Sequence, residues 1–371
     1  MQDTDMGALA SQVLWAAFGL AVLFGAIAQR THFCTMGAVA DIVSFGDWSR
    51  MRMWALAIGV AMIGFNTMVA LGWVDAGKSI YGAPRLTWLS AAAGGLMFGF
   101  GMVLASGCGS KTLVRIGAGN LKSVVVFVVL GVAAFATLKG ITAVARAATV
   151  DRVAVELAGG QDLPALVARG FGLSKGLVAH LLSVLLGGGL IAWALARAQG
   201  RSADVLLGGM GIGAVIVAMW WVSGRLGHVG EDPRTLQEAF VATNSQRMES
   251  LSFVAPVAYA IDWLLFFSDR SKVLTIGIVS TVGVVLGSAL VALASRNFRW
   301  EGFAGAEDTA NHLGGAVLMG VGGVTALGCT VGQGLSGVST LAIGSFIALG
   351  GIIAGAVLAL KYQVWRLGRM A

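Results

Sequence analysis

Gly99-Phe100-Gly101-Met102-Val103-Leu104-Ala105-Ser106-Gly107-Cys108 and Gly320-Val321-Gly322-Gly323-Val324-Thr325-Ala326-Leu327-Gly328-Cys329 are two versions of one phrase, Gly-x-Gly-x-x-x-Ala-x-Gly-Cys. Each closes a long apolar run, and two of the chain's three cysteines fall at its last position. Such a stretch reads as a membrane helix that breaks at a glycine–cysteine corner and presents a thiol inside the membrane. Backbone freed from a helix cannot face lipid; it must be buried in protein or line a cavity.

Composition supports the membrane. Of 371 residues, 57% are hydrophobic and only 12% charged, against about 25% charged in a soluble domain. The mean hydropathy is +0.83. The 55 glycines lie inside apolar runs, where small residues let membrane helices approach closely. The net charge of +7 sits in short loops between those runs, a distribution explained by retention of basic loops on the cytoplasmic side and not by nucleic-acid binding. An odd number of cysteines and no Cys-x-x-Cys argue against a disulfide framework. Ala26-Ile27-Ala28 resembles a signal-cleavage site, but Asp3 and Asp5 precede it with no Lys or Arg, so the segment is expected to remain as a span.

A spanning helix needs about 20 mainly apolar residues. The pattern predicts spans at 13–29, 53–74, 88–107, 121–138, 175–196, 203–222, 273–294, 310–328 and 338–360. The shorter apolar stretches 31–48 and 251–268 suit re-entrant helices. Residues 139–174 form a charged connector with a short amphipathic helix, and 224–250 a long polar loop. The fold expected is an all-α polytopic membrane protein with about nine crossings plus re-entrant helices, built as one membrane domain over 1–371. Within it, 13–138 and 203–360 repeat the order span, re-entrant helix, span, broken span, span from opposite faces. Residues 139–202 are a connector with an extra span. Such inverted repeats place a substrate path at their interface. The basic loops put the N-terminus outside and the C-terminus in the cytoplasm.

The corners Gly107-Cys108-Gly109-Ser110-Lys111-Thr112 and Gly328-Cys329-Thr330-Val331-Gly332-Gln333-Gly334 are then expected to bind a small anion. Following helical segments, about 110–118 and 333–346, would aim free N–H groups and a positive dipole end at it. Gly107, Gly109, Gly328 and Gly332 are expected to allow close backbone approach, to adopt positive φ, and to resist valine. Ser110, Thr330 and Gln333 are candidate polar contacts, and Lys111 a candidate attractor. Cys34, in Thr31-His32-Phe33-Cys34-Thr35-Met36-Gly37, adds a third thiol. A protonated thiol donates a weak S–H bond and repels an anion less than a thiolate. Gly109-Ser110-Lys111-Thr112 echoes a phosphate-binding loop but lacks its glycine before lysine and any preceding strand. The four histidines have no metal spacing, and no Ser–His–Asp set can be built, so neither metal, cofactor nor enzyme chemistry is expected.

Phe33-Cys34, Ala105-Ser106-Gly107-Cys108 and Ala326-Leu327-Gly328-Cys329-Thr330-Val331-Gly332-Gln333-Gly334 resemble the YeeE/YedE family of bacterial sulfur transporters, over nearly the whole chain. The resemblance implies an inner-membrane protein that takes up thiosulfate. It also implies a relay through Cys34, Cys108 and Cys329 by S–H···S contacts, and a TusA-like cytoplasmic sulfur carrier as partner. Another sulfur or selenium substrate, or a membrane sulfur-transfer subunit whose cysteines react covalently, are the alternatives. Topology orders the relay as Cys329 nearest the outside, then Cys108, then Cys34.

Overall fold

A computed structural model describes residues 3–157, 159–232 and 235–370. The first half runs α1 (Asp3–Arg30), α2 (Thr35–Phe45), α3 (Ser49–Ala70), α4 (Trp88–Leu104), α5 (Gly109–Gly117) and α6 (Leu121–Lys139). A connector follows with α7 (Ile141–Ala148), α8 (Leu163–Phe171) and α9 (Lys175–Leu195). The second half runs α10 (Ala203–Trp221), α11 (Ala255–Leu265), α12 (Ile276–Ala294), α13 (Ala306–Thr325), a π-helical stretch Gly332–Gly337, and α14 (Ile343–Met370). Two short antiparallel ribbons, Arg85–Leu86 with Val155–Glu156 and His228–Val229 with Ala239–Phe240, tie loops together.

Eight stretches among the described residues are long and apolar enough to cross a membrane, which makes this an all-α polytopic membrane protein. The expected span at 310–328 is α13, and it is not one of the eight. Its first turn carries Glu307 and Asp308, held by Arg366 at 2.8 Å and Lys122 at 3.0 Å. Packed between α4 and α6, α13 needs little lipid-facing apolar surface. The short apolar stretches become α2 and α11, as their length requires. The connector holds two short helices, α7 and α8, where one was expected.

Helix pairing follows the repeated phrase. α1 packs on α12 and α10 on α3; α4 packs on α14, α13 on α6, and α4 on α13. The phrase's first glycines, Gly99 and Gly320, lie against the Ile352 and Leu130 carbonyls of α14 and α6. Its second glycines, Gly101 and Gly322, lie in the α4–α13 contact. A Cβ on Gly101 would come 2.6 Å from the Gly315 carbonyl oxygen, and one on Gly322 would come 2.6 Å from that of Gly94. Glycine is therefore required by backbone-to-backbone approach.

Candidate functional site

α1, α4 and α13 end in the same way, and each hands the chain to a cysteine. α4 closes with Ser106 in the left-handed conformation (φ 55°). There Ser106 N–H donates to the Val103 carbonyl (3.1 Å) and Gly107 N–H to that of Met102 (2.8 Å). α13 closes with Leu327 at φ 58°, Leu327 N–H donating to Val324 (3.0 Å) and Gly328 N–H to Gly323 (2.8 Å). α1 closes with His32 at φ 54° and Phe33 N–H on the Ala28 carbonyl (3.2 Å). These are Schellman closures, and in each the residue two past the left-handed one is Cys108, Cys329 or Cys34.

This corrects one expectation. Positive φ was assigned to the corner glycines; it falls instead on Ser106 and Leu327, one residue earlier. A side chain in that conformation costs roughly 1 kcal/mol or more, so the corners are strained where glycine would not be. Leu327 is 55% exposed, so little packing would be lost with its side chain. Leu327→Gly is expected to raise the unfolding temperature, with a gain of up to about 1 kcal/mol. A lower temperature would mean that the leucine contributes packing which outweighs the strain.

Each cysteine then opens the next helix. Cys34 caps α2, its Sγ accepting from Gly37 N–H at 3.4 Å. Cys108 is the cap residue of α5, its Sγ 3.3 Å from Ser110 Oγ. Cys329 Sγ accepts from Gly332 N–H at 3.4 Å, and the Val331 and Phe253 N–H groups lie near it. All three thiols are free and buried, with exposures of 7%, 1% and 0% for Cys34, Cys108 and Cys329. Cys108 lies near both Cys34 and Cys329. Lys111 and Arg115, on α5, interact with Cys34, and Lys111 with Cys108 as well.

A scan against family models matches residues 30–358 to the sulphur transport family. The chain belongs to that family. It is 28% identical over 318 residues to the thiosulfate transporter TsuA of Escherichia coli, covering 84% of each chain. It is 25% identical over 348 residues to the thiosulfate transporter TsuA of Spirochaeta thermophila, covering 91% of this chain and 94% of the relative. A shorter match, 33% over 103 residues, reaches the probable transporter YedE of Salmonella typhimurium, covering 26% of this chain and 23% of that one.

In this sulphur transport family member the remaining expected residues take distinct places. Gly109 lies against the Phe253 carbonyl, where a Cβ would come within 2.7 Å. Gly332 lies against Ser252, where a Cβ would come 2.5 Å from its Oγ. Gly107 faces only the Lys111 stem, and Gly328 faces Gln333. Gln333 Nε2 donates to the Ala326 carbonyl within its own broken helix, not to a neighbouring helix. Its Oε1 and the Thr330 Oγ1 are buried with no hydrogen-bond partner. Lys111 is half-buried beside Gly107.

Several residues at the corners had no signal in the sequence. Tyr81, from the α3–α4 loop, donates its hydroxyl to the Gly332 carbonyl at 2.7 Å. Trp54 stacks on Phe33, the rings 5.1 Å apart, with its buried Nε1 unpartnered. Two cavities flank Leu327. One, of about 180 Å³, reaches Gly328 and is lined by Arg146, Glu249, Ser252 and Ser280 among mostly apolar neighbours. The other, about 20 Å³, touches Gln333, Tyr81 and Ser345, room for about one water-sized body.

Proposed function

We propose that the chain imports thiosulfate across the bacterial inner membrane, with the N-terminus outside and the C-terminus in the cytoplasm. The observation that carries the proposal is the shared geometry of three buried thiols, Cys34, Cys108 and Cys329, each two residues past a left-handed helix closure and each opening the next helical turn. The names of two relatives aligned over most of this chain supply the substrate. A buried divalent anion is costly unless donors replace its water. Here each thiol is the first residue of a helical turn, so N–H groups and a positive dipole end surround it. The oxygens of the ion would meet Ser110, Thr330, Gln333 and the backbone at Gly107, Gly109, Gly328 and Gly332. Its terminal sulfur would meet the soft thiols, in the order Cys329, Cys108, Cys34. Lys111 draws the charge toward the inner end, where a TusA-like carrier would receive the sulfur.

Residues 13–138 and 203–360 would be the two inverted repeats of this importer. The mirrored contacts of α1 with α12 and α10 with α3, and of α4 with α14 and α13 with α6, favour that division. Burial of the thiols requires movement for passage. The π-helical stretch Gly332–Gly337, directly after Cys329, is the proposed place of that movement, since such turns occur frequently at functional sites.

Glu249, in the loop before α11, lines the larger cavity. Burial pushes its carboxyl up to about 7, although Ser245 Oγ donates to it at 3.0 Å. Below that pH the neutral acid leaves the approach to Cys329 uncharged; above it, a carboxylate repels the anion. Arg146, across the cavity, is already paired with Asp151 at 3.2 Å. Uptake is expected to fall as pH rises through about 7, and Glu249→Gln to flatten the profile. An unchanged profile in that variant would remove Glu249 from the entry route.

Growth is the simplest test of the function. In a host lacking sulfate and thiosulfate import, expression should restore growth on thiosulfate as sole sulfur source. Failure with the protein verified in the membrane would sink the proposal.

A further inference from the structure

On the face that carries the basic loops, a groove opens between the start of α3 and the end of α9, outside the series of thiols. Trp48, Arg52, Trp193, Arg197, Ala198 and Gln199 line it. Arg52 is 8% exposed. Its Nη1 donates to the carbonyls of Trp193 (2.5 Å) and Ala194 (3.3 Å), satisfying two groups that the end of α9 leaves open. Its guanidinium lies 4.6 Å from the Trp193 ring centroid. Its Nε, buried, has no hydrogen-bond partner.

The charge of the groove is one-sided. None of the lining residues is acidic, and no carboxylate pairs with Arg52, Arg197 or Arg201 among the described residues. The nearest acid in sequence, Asp47, is turned to the Ser49 N–H and hydroxyl (3.0 and 2.7 Å). Arg201 Nε donates to the Leu195 carbonyl at 2.8 Å, fixing the turn that brings Arg197 over the groove. Trp48 and Trp193 meet edge to face, centroids 5.9 Å apart, and both are exposed. Tryptophan with an apolar body and a polar N–H belongs at the level of lipid headgroups. Within a leaflet's depth of the groove, α9 presents an exposed apolar row, Val184, Leu185 and Leu186, of the kind that faces acyl chains.

We propose that this groove holds the phosphodiester headgroup of an anionic membrane lipid. Arg52 and Arg197 provide the planar donors that suit phosphate oxygens. The two tryptophans would fix the glycerol level, and the acyl chains would lie along the exposed row of α9. Such a lipid would join α9, the span outside the paired set, to α3. Basic pockets between membrane helices on the cytoplasmic side recognise headgroups in this way.

Native mass spectrometry of the purified full chain, with phosphatidylglycerol or phosphatidylcholine of matched acyl chains, tests the assignment. Phosphatidylglycerol should be retained in preference by about fivefold or more, from about 1 kcal/mol for each basic residue at the surface. Arg197→Gln, at an exposed position, should lower that preference about fivefold without affecting folding. Arg52→Lys, which keeps the charge and loses the planar fork, should also weaken it. Excess inorganic phosphate should leave the bound lipid in place. Equal retention of the two lipids, or an unchanged preference in Arg197→Gln, would overturn the proposal. Displacement by inorganic phosphate would overturn it too, because the groove would then be a site for the free ion.

Discussion

Cys108→Ala is expected to reduce thiosulfate uptake by at least tenfold while leaving a folded, membrane-inserted protein. The thiol is 1% exposed, and in the proposed relay it is the middle step, so its loss would break the series. A hydrogen bond to a charged group contributes about 1.5–3 kcal/mol, and each 1.36 kcal/mol on a barrier is about a factor of ten in rate. Stability should change little, because removing one sulfur leaves only a small cavity, costing on the order of 1 kcal/mol. Cys329→Ala should behave similarly. Cys→Ser should recover part of the rate, since a hydroxyl donates more strongly but is a poorer partner for soft sulfur. Normal uptake by Cys108→Ala at equal membrane expression would exclude a relay through the thiols.

Gly109→Ala is expected to be the second severe lesion, and Gly107→Ala a mild one, although the two flank the same cysteine. At Gly109 the new Cβ would come 2.7 Å from the Phe253 carbonyl oxygen. Phe253 is also the residue whose N–H reaches the Cys329 thiol. Pushing that backbone away disturbs both corners together. Overpacking of this kind costs about 1–3 kcal/mol, which on the barrier is up to about a hundredfold in rate. At Gly107 the Cβ meets Lys111 Cγ at 3.3 Å, and a flexible stem can give way. Uptake kinetics of the two variants, normalised to membrane protein, provide the check. Equal loss in both would mean that the glycines act through backbone conformation and not through contact with Phe253.

The repeated phrase was legible because its glycines and cysteines recur at fixed spacing in apolar runs, and it placed two of the three thiols, Cys108 and Cys329, at helix corners. The strained residues were not legible. Glycine is the usual occupant of a left-handed position, so Gly107 and Gly328 drew that assignment, whereas the chain places Ser106 and Leu327 there. The nearby glycines serve packing instead. α13 reads as an ordinary span, because sequence alone does not reveal that Arg366 and Lys122 pair with the acids of its first turn. Tyr81, Trp54 and Phe253 reach the corners from elements remote in sequence, and a lone aromatic in an apolar chain carries no mark of that role. Glu249 looked like one more charge in a polar loop until its place on the cavity wall distinguished it.

The most direct measurement is uptake of thiosulfate into proteoliposomes containing only this chain, with its two sulfurs carrying different isotopes and the lumenal product analysed by mass. Intact thiosulfate with both labels still joined should accumulate inside, should not appear with Cys108→Ala, and should leave no persulfide on Cys34, Cys108 or Cys329. Accumulation of only one of the labels, or a persulfide on any of the three cysteines during turnover, would contradict transport of the whole ion and identify covalent sulfur transfer instead.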